Sequence, residues 1–214
     1  MTLNRLIRIA VADDHTILRD GICQILGATP GIEVIAQVGT GAEAIKLADS
    51  SDLDCLLLDI TLPDRDGIEV IKAVRRNNKK LPILMLSMHP EEQYAIRSLK
   101  AGASGYIGKT ASIKELLMAI RQVSANIKFI SPIVADLLAD RVGETIHEEP
   151  HTTLSDREYQ FLIKVAMGFT VTEIADQMAI SVKTVSMYRS RTLKKMNMKK
   201  NAQLAQYAIK QNLV

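Results

Sequence analysis

A single aspartate, Asp59, stands between an apolar run at residues 55–58 and a polar turn that ends at Gly67. An apolar run of this length, bounded by turn signals such as Pro63 and Gly67, predicts a strand buried on both faces. The carboxylate would then lie at the carboxyl edge of a sheet, where open α/β folds bind ligands. A simpler interpretation is that Asp59 only caps the turn or the following helix.

A second predicted strand also ends in acid. Residues 7–12 are largely apolar and lead directly into Asp13 and Asp14. Because adjacent parallel strands lie about 4.8 Å apart, the three carboxylates should converge on one small volume. Their mutual repulsion calls for a hard cation with oxygen ligands, and Mg²⁺ above all fits such a set.

A hydroxyl and an ammonium group follow two further predicted strands. Ser87 comes after residues 83–86, and Lys109 comes shortly after residues 105–107. A carboxylate nucleophile with a cation, a hydroxyl and a lysine around it is what phosphoryl transfer to a carboxylate requires. The four groups together therefore predict phosphoryl chemistry at this edge.

With these residues in this order, residues 5–125 resemble the receiver domain of bacterial two-component response regulators. The resemblance implies that Asp59 is the phosphoacceptor, that Ser87 and Lys109 contact the phosphoryl oxygens, and that Tyr106 is the switch aromatic. It also implies a Mg²⁺ site made by Asp13, Asp14, Asp59 and the carbonyl of Thr61. One departure is Thr110, which stands where the family usually has proline after the lysine, often on a cis bond. A cis bond before another residue costs about 2.5 to 4 kcal/mol, so the sequence leaves the isomer of this bond open.

Strand-like and helical patterns alternate through this first part of the chain. Period and composition predict strands at 6–12, 32–38, 54–59, 81–86 and 104–107, and helices at 16–28, 41–50, 66–77, 90–100 and 112–123. Five such units predict an α/β fold with a doubly wound parallel sheet. The resemblance implies the strand order 2-1-3-4-5.

Length and composition indicate a chain of one large or two small domains, since it has 214 residues. Cys23 and Cys55 lie in apolar surroundings without metal-ligand spacing, which favours free thiols and a reducing compartment. No run approaches the roughly 18 apolar residues of a membrane helix, and residues 1–5 begin no apolar leader. The expected location is the cytoplasm, with no membrane partner.

The charge is distributed unevenly along the chain. Residues 1–125 carry 15 basic and 15 acidic side chains, residues 126–150 carry 2 and 5, and residues 151–214 carry 10 and 4. From Ser181 onward there are eight Lys or Arg and no Asp or Glu. Such a basic segment is typical of a nucleic-acid surface, although a merely solvated basic face would have the same composition.

The chain divides into three segments: the part that resembles a receiver domain over 1–125, a linker over 126–152 where the composition shifts, and a domain over 153–214 that is all helical by pattern. In the linker, Ser131 and Pro132 predict the start of a short helix. In the last domain, Ser155 and Glu158 form a capping box, and two further helices flank a turn at Ile180 and Ser181.

Residues 153–214 look like the LuxR-type helix-turn-helix, and with the receiver they make a regulator of the NarL/FixJ type. In the second helix of this motif, Ser186, Met187 and Ser190 are candidates for contacts to base edges. Lys183, Arg189, Arg191 and Lys194 are candidates for phosphate contacts, and Thr184 belongs to the same predicted surface. Tyr188 replaces the usual histidine, and residues 170–172 replace the usual Ser-Asn-Lys, so the family's base preferences do not transfer.

The sequence thus predicts a transcription factor rather than an enzyme. A sensor histidine kinase or phosphotransfer protein would phosphorylate Asp59, and a homodimer would bind two-fold symmetric double-stranded DNA, with RNA polymerase as a further partner. Three alternatives remain. An aspartate-phosphorylating enzyme of the haloacid dehalogenase type would need a second Asp two residues after Asp59, where Thr61 stands. A ligand-sensing LuxR-type regulator would need an apolar small-molecule pocket instead of the acid cluster. The third alternative is a regulator that works without phosphorylation.

Overall fold

The computed structural model describes residues 6–50, 52–88, 91–143, 149–178, 180–211 and 213–214. Residues 1–5, to which the prediction of no apolar leader applies, lie outside this description, and so does Ala179. No helix in the described ranges combines the length and the apolar character that crossing a membrane requires.

Contacts divide the chain into two units, Met1–Val142 and Gly143–Val214. In the described residues of the first unit, five strands alternate with five helices, and a sixth helix follows. The strands are β1 (Ile7–Ala12), β2 (Ile32–Val38), β3 (Cys55–Asp59), β4 (Ile83–Ser87) and β5 (Gly105–Gly108). The helices are α1 (Thr16–Gly27), α2 (Gly41–Ser50), α3 (Gly67–Asn77), α4 (Glu91–Ala101), α5 (Ile113–Ser124) and α6 (Pro132–Gly143). All neighbouring strands run parallel in the order β2-β1-β3-β4-β5, which confirms the predicted fold.

The central strands are buried on both faces, as their continuous apolar composition predicts. Every residue of β3 and β4 is buried, because helices cover both sides of the sheet. The register pairs Ala12 of β1 with Leu58 of β3, and Asp59 with Leu86 of β4. The residues that follow these pairs therefore meet at one edge of the sheet.

The turn after β3 is held by Asp66 and Gly67. The Asp66 carboxylate caps α3 by accepting a hydrogen bond of 2.6 Å from the backbone N–H of Ile68. A Cβ atom at Gly67 would lie 2.5 Å from the carbonyl oxygen of Asp59, so only glycine lets α3 begin this close to the strand end. The helix cap is therefore Asp66, and the interpretation of Asp59 as the cap of the next helix is wrong.

The linker begins with a segment that packs on the first unit. Phe129 and Val134 are buried, and Phe129 forms a bridge with Gly105 of β5. The hydroxyl of Ser131 accepts a hydrogen bond from the backbone N–H of Val134 and donates one to Glu91 of α4. The predicted linker helix is present as α6, and its first turn belongs to the core of the first unit.

The second unit contains a short 3₁₀ helix, Pro150–Thr153, and four α-helices: α7 (Asp156–Ala166), α8 (Val171–Gln177), α9 (Val182–Lys195) and α10 (Asn201–Lys210). The capping box of Ser155 and Glu158 is formed at α7, and Thr170 with Glu173 makes a second one at α8. Ser181 caps α9 through the N–H of Thr184. Short polar caps thus define where the helices of the motif begin.

The core of the second unit lies between α7, α9 and α10. Phe161, Leu162, Val185 and Leu204 are fully buried there. Tyr207 of α10 donates a hydrogen bond to Glu149 and lies 2.9 Å from Nδ1 of His151, so the end of the linker is fastened to α10.

Candidate functional site

Three carboxylates meet where β1 and β3 end. Asp13 is fully buried, Asp59 is 2% exposed, and the Asp14 side chain is about one-third exposed. Together with His15, each offers a ligand atom, and these atoms all lie within 4.8 Å of one another. The convergence that strand adjacency predicts is therefore present.

Lys109 lies between two of these acids. Its Nζ atom is 2.7 Å from Oδ2 of Asp13 and 2.7 Å from Oδ2 of Asp59, and its side chain is 2% exposed. The backbone N–H of Lys109 donates a hydrogen bond of 2.7 Å to the carbonyl of Ser87, which holds the end of β5 against β4. The Lys109–Thr110 bond is trans, since no cis peptide occurs in the described part of the chain.

Burial raises the pKa of Asp59 from its ordinary value of 3.8 to about 6. The hydrogen bond and charge of Lys109 act in the opposite direction, and the nearby charge of Asp13 adds to the rise. A carboxyl group with such a pKa is mostly ionised at neutral pH. Asp59 can therefore act as a nucleophile there, while its charge remains costly in a buried position.

Ser87 and Tyr106 lie on the two neighbouring strands. Ser87 is the last residue of β4, one position beyond the partner of Asp59, and it is 1% exposed. Tyr106 is paired in register with Met85 and is also 1% exposed, so its ring is in a buried position. Both residues are thus buried in the first unit, Ser87 on β4 and Tyr106 on β5.

Thr61 lies on the turn that follows Asp59. Its backbone N–H donates a hydrogen bond of 3.3 Å to Oδ1 of Asp59, and it forms an isolated bridge with Asp66. The predicted carbonyl ligand is therefore held two residues from the central carboxylate by contacts at both ends of the turn.

His15 is a member of the cluster that the sequence-based prediction missed. Its Nδ1 atom lies 2.8 Å from Oδ1 of Asp14, 3.2 Å from Oδ1 of Asp13 and 3.8 Å from Oδ2 of Asp59. The signal was its place directly after the acid pair, which puts it at the same edge of the sheet. A prediction that considered only oxygen ligands passed over it.

The arrangement fits a divalent cation on its chemistry. Asp13 and Asp59 share one lysine, and Asp14 lies 2.8 Å from His15 in the same cluster. A second positive charge would relieve the repulsion among the three carboxylates. Asp13, Asp14 and Asp59 therefore have the donor atoms that Mg²⁺ needs.

In the second unit, α9 has one buried and one exposed face. Val185, Thr192 and Leu193 are buried. The exposed residues of α9 are polar or basic, apart from Val182 at its start and Met187, which is 39% exposed. Six of the predicted contact residues are exposed, namely Lys183, Ser186, Met187, Ser190, Arg191 and Lys194, whereas Thr184 and Arg189 are half-buried.

Two basic side chains of α9 are engaged within the unit. Nε of Arg189 donates a hydrogen bond of 2.8 Å to Oδ1 of Asn201 at the start of α10. Lys195 donates one of 2.6 Å to the buried carboxylate of Glu158. Thr184 pairs with Ser181 in the cap, where the two hydroxyl oxygens are 2.8 Å apart. Arg189 is thus positioned by α10, and Lys195 contributes to folding.

Family comparisons separate the same two parts of the chain. Residues 9–121 match the response regulator receiver domain, and residues 152–208 match the luxR family of bacterial regulatory proteins. The chain belongs to the NarL/FixJ-type response regulators. This response regulator family consists of two-component transcription factors with a LuxR-type DNA-binding domain, and not of enzymes in the ordinary sense.

Relatives match this response regulator over nearly its whole length. The response regulator GacA of Pseudomonas aeruginosa is 32% identical over 210 residues, which cover 98% of each chain. UvrY of Escherichia coli K12 is 32% identical over 209 residues, covering 97% of this chain and 96% of UvrY. A solved structure of RcsB from Salmonella enterica serovar Typhimurium, bound to promoter rprA with the phosphomimetic BeF₃⁻, is 25% identical, with a TM-score of 0.66 over 95% of this chain and 98% of that chain.

Proposed function

We propose that this response regulator accepts a phosphoryl group on Asp59 from a sensor histidine kinase or a phosphotransfer protein, and then binds two-fold symmetric DNA as a homodimer to control transcription. The observation that supports it most is the buried Asp59 carboxylate, which lies 2.7 Å from Lys109 in a cluster of acids. A regulator with a phosphoryl donor and DNA as partners would act in the cytoplasm, and RNA polymerase would be a further partner at promoters.

The chemistry follows from the groups at the strand ends. An oxygen of the Asp59 carboxylate attacks phosphorus, the bond from phosphorus to the donor's imidazole nitrogen breaks, and the nitrogen keeps the electron pair. Lys109 then contacts one of the phosphoryl oxygens while it keeps its ion pair with Asp13. The Ser87 hydroxyl donates a hydrogen bond to another of these oxygens. The product is an acyl phosphate on Asp59.

Asp13, Asp14, Asp59 and the carbonyl of Thr61 would hold Mg²⁺ directly or through water. When bound, Mg²⁺ supplies positive charge at the oxygens of the transferring phosphoryl group. The chain's own contribution is to fix the carboxylates on rigid strand ends and to exclude water around Asp59, which is 2% exposed.

The effect of phosphorylation on dimerisation and DNA binding depends on Ser87 and Tyr106. If Ser87 turns toward the phosphoryl group, Tyr106 on the next strand fills the space that it leaves, and the surface formed by α4 and α5 changes. That change either releases the DNA-binding unit or pairs two receivers. A dimer would place two α9 helices about 34 to 36 Å apart, in successive major grooves. The RcsB structure bound to promoter DNA in the presence of BeF₃⁻ supports, by analogy, DNA binding by a phosphorylated form.

In the DNA complex, the exposed face of α9 enters the major groove. Ser186, Met187 and Ser190 would face base edges, while Lys183, Arg191 and Lys194 would meet phosphates. Arg189 would also meet a phosphate, oriented by its hydrogen bond to Asn201. Thr184 would lie at the start of this surface, where it already supports the cap of α9.

The test combines sedimentation with footprinting. Beryllofluoride and Mg²⁺ should convert the protein to a dimer and produce a footprint on a two-fold symmetric site. Tyr106→Ala should still accept a phosphoryl group but lose the dimer, whereas Tyr106→Phe, which keeps the ring, should retain it. A phosphomimetic complex that neither dimerises nor exposes the linker to protease would contradict this output mechanism. Equal DNA binding with and without the phosphodonor would favour a regulator that works without phosphorylation.

A further inference from the structure

His15 occupies a helix cap position without acting as a cap. It is the N-cap residue of α1, yet its side chain makes no hydrogen bond to the first turn of that helix. Side chains at this position usually accept a hydrogen bond from a backbone N–H of the helix they start. Here the ring turns toward the acid cluster instead, with Nδ1 within 3.2 Å of carboxylate oxygens from both Asp13 and Asp14.

The backbone holds His15 in this position. Its N–H donates a hydrogen bond of 2.9 Å to Oδ1 of Asp13, so the acid that contacts the ring also fixes the main chain behind it. The side chain is 60% exposed, which leaves the far side of the ring toward water. Carboxylate oxygens only accept hydrogen bonds, so these contacts are those of an Nδ1–H donor, and an ion bound by Nδ1 would displace that proton.

The spacing of the atoms suits coordination of one ion. In an octahedral site with bonds of about 2.1 Å, adjacent ligand atoms lie about 3 Å apart. Nδ1 of His15 lies 2.8, 3.2 and 3.8 Å from oxygens of Asp14, Asp13 and Asp59. The other oxygen of Asp13, Oδ2, faces Lys109 instead, 2.7 Å from its Nζ atom. One ion placed among these atoms could bind oxygens and the ring nitrogen together.

We propose that His15 is a nitrogen ligand of the divalent cation at the Asp13, Asp14 and Asp59 cluster, and that this site prefers a first-row transition ion over Mg²⁺. Imidazole binds such ions well, whereas Mg²⁺ is better served by oxygen ligands and water. The proposal rests on the cation site of the proposed function and adds a ligand and a metal preference to it.

The proposal is tested on the full untagged chain with Co²⁺ and Mg²⁺ as probes. Calorimetric titration should show tighter binding of Co²⁺ than of Mg²⁺. His15→Gln should weaken Co²⁺ binding by about tenfold or more and leave Mg²⁺ binding nearly unchanged, because only the ring nitrogen is removed. His151→Gln, which removes an imidazole on the linker, is the matched control and should change neither affinity.

A spectroscopic measurement on the parent chain does not depend on any variant. Bound Mn²⁺ should show electron spin-echo modulation from a directly coordinated nitrogen, and this signal should disappear in His15→Gln and persist in His151→Gln. Bound Mn²⁺ without nitrogen coupling, or an equal loss of Co²⁺ and Mg²⁺ affinity in His15→Gln, would overturn the ligand role of His15. If Mg²⁺ still supports labelling of Asp59 in that case, the proposed function stands; if neither metal binds and Asp59 is not labelled, the proposed function fails as well.

Discussion

The pocket around Asp59 and the exposed face of α9 use polar residues in opposite ways. In the pocket, Asp13, Asp59 and Lys109 are almost fully buried, so each charge depends on its neighbours. On α9, Lys183, Ser186 and Lys194 are exposed and leave the fold nearly independent of their identity. A buried charged set specifies one chemistry, because its charges are balanced only within the set. An exposed set can vary with the DNA sequence to be read, because its partners lie outside the chain.

The largest effect on stability should come from the buried charge of Asp59. Its pKa in the folded chain, about 6, lies above the ordinary 3.8, so folding favours the protonated form. Stability is therefore lost as pH rises from about 4 through 6. Asp59→Asn should be more stable than the parent at pH 7 without metal by about 3 kcal/mol, with no difference near pH 4. Urea unfolding in EDTA at both pH values measures this.

Asp64 provides a control of opposite sign in the same domain. Its burial would raise its pKa, but hydrogen bonds from the N–H groups of Gly41 and Ala42 and from Arg65 outweigh this and lower the pKa. Asp64→Asn should therefore reduce stability at neutral pH, and the loss should shrink as the medium becomes acidic. If both variants respond to pH in the same direction, the electrostatic contrast assigned to Asp59 is wrong.

The second prediction concerns adjacent lysines on α9 with different surroundings. Lys195 contacts the buried carboxylate of Glu158, whereas the Lys194 side chain is exposed. Lys195→Met should lower the free energy of unfolding by about 1 to 2 kcal/mol, because Glu158 loses its counter-charge. Lys194→Met should stay within about 0.5 kcal/mol of the parent. Equal losses of stability in thermal or urea unfolding would show that the contact of Lys195 with the buried Glu158 carboxylate does not stabilise the fold.

The third prediction concerns DNA binding, in which Lys194 should matter more than Lys195. Each phosphate neutralised by the protein contributes about −0.9 to the slope of log affinity against log salt. Lys194→Ala should therefore flatten this slope by about one unit on any DNA sequence. Fluorescence anisotropy over a range of salt concentrations gives the slope, and an unchanged slope would remove Lys194 from the phosphate contacts.

The most sequence-specific effect, and the smallest when averaged over DNA sequences, should come from Met187. Met187→Ala should change the ranking of related DNA sequences by about 1 to 3 kcal/mol at one position and leave the salt slope unchanged. A binding selection on randomised duplexes measures the preference. A flatter slope with an unchanged preference would exchange the roles assigned to Met187 and Lys194.

Fold and cluster geometry followed from the sequence to different extents. The strand order and most element bounds were predictable, because the apolar runs and helical periods are local signals and the family fixes the order. The convergence of Asp13, Asp14 and Asp59 followed from the adjacency of strand ends. The contact of Lys195 with Glu158 spans 37 positions and that of Arg189 with Asn201 spans 12, so both depend on tertiary packing that no local pattern contains.

His15 shows a different limit. Its position in the sequence was evident, since it follows Asp13 and Asp14 directly. It was not predicted as a ligand, because Mg²⁺ prefers oxygen donors and its ring offers nitrogen. A residue at an N-cap position can simply cap the helix. Only the orientation of the His15 ring, which makes no hydrogen bond to α1, distinguishes a cap from a ligand. That orientation is set by the hydrogen bond from its backbone to Asp13, which appears only in three dimensions.

The most direct test of the central claim is transfer of a labelled phosphoryl group from acetyl phosphate in the presence of Mg²⁺. The parent chain should take up label only with Mg²⁺, Asp59→Asn should take up none, and Asp14→Ala should take up less because it weakens the cation site. Circular dichroism of each variant should match the parent, so that loss of label reports chemistry and not unfolding. Labelling of Asp59→Asn at the parent level would contradict the assignment of Asp59 as the phosphoacceptor.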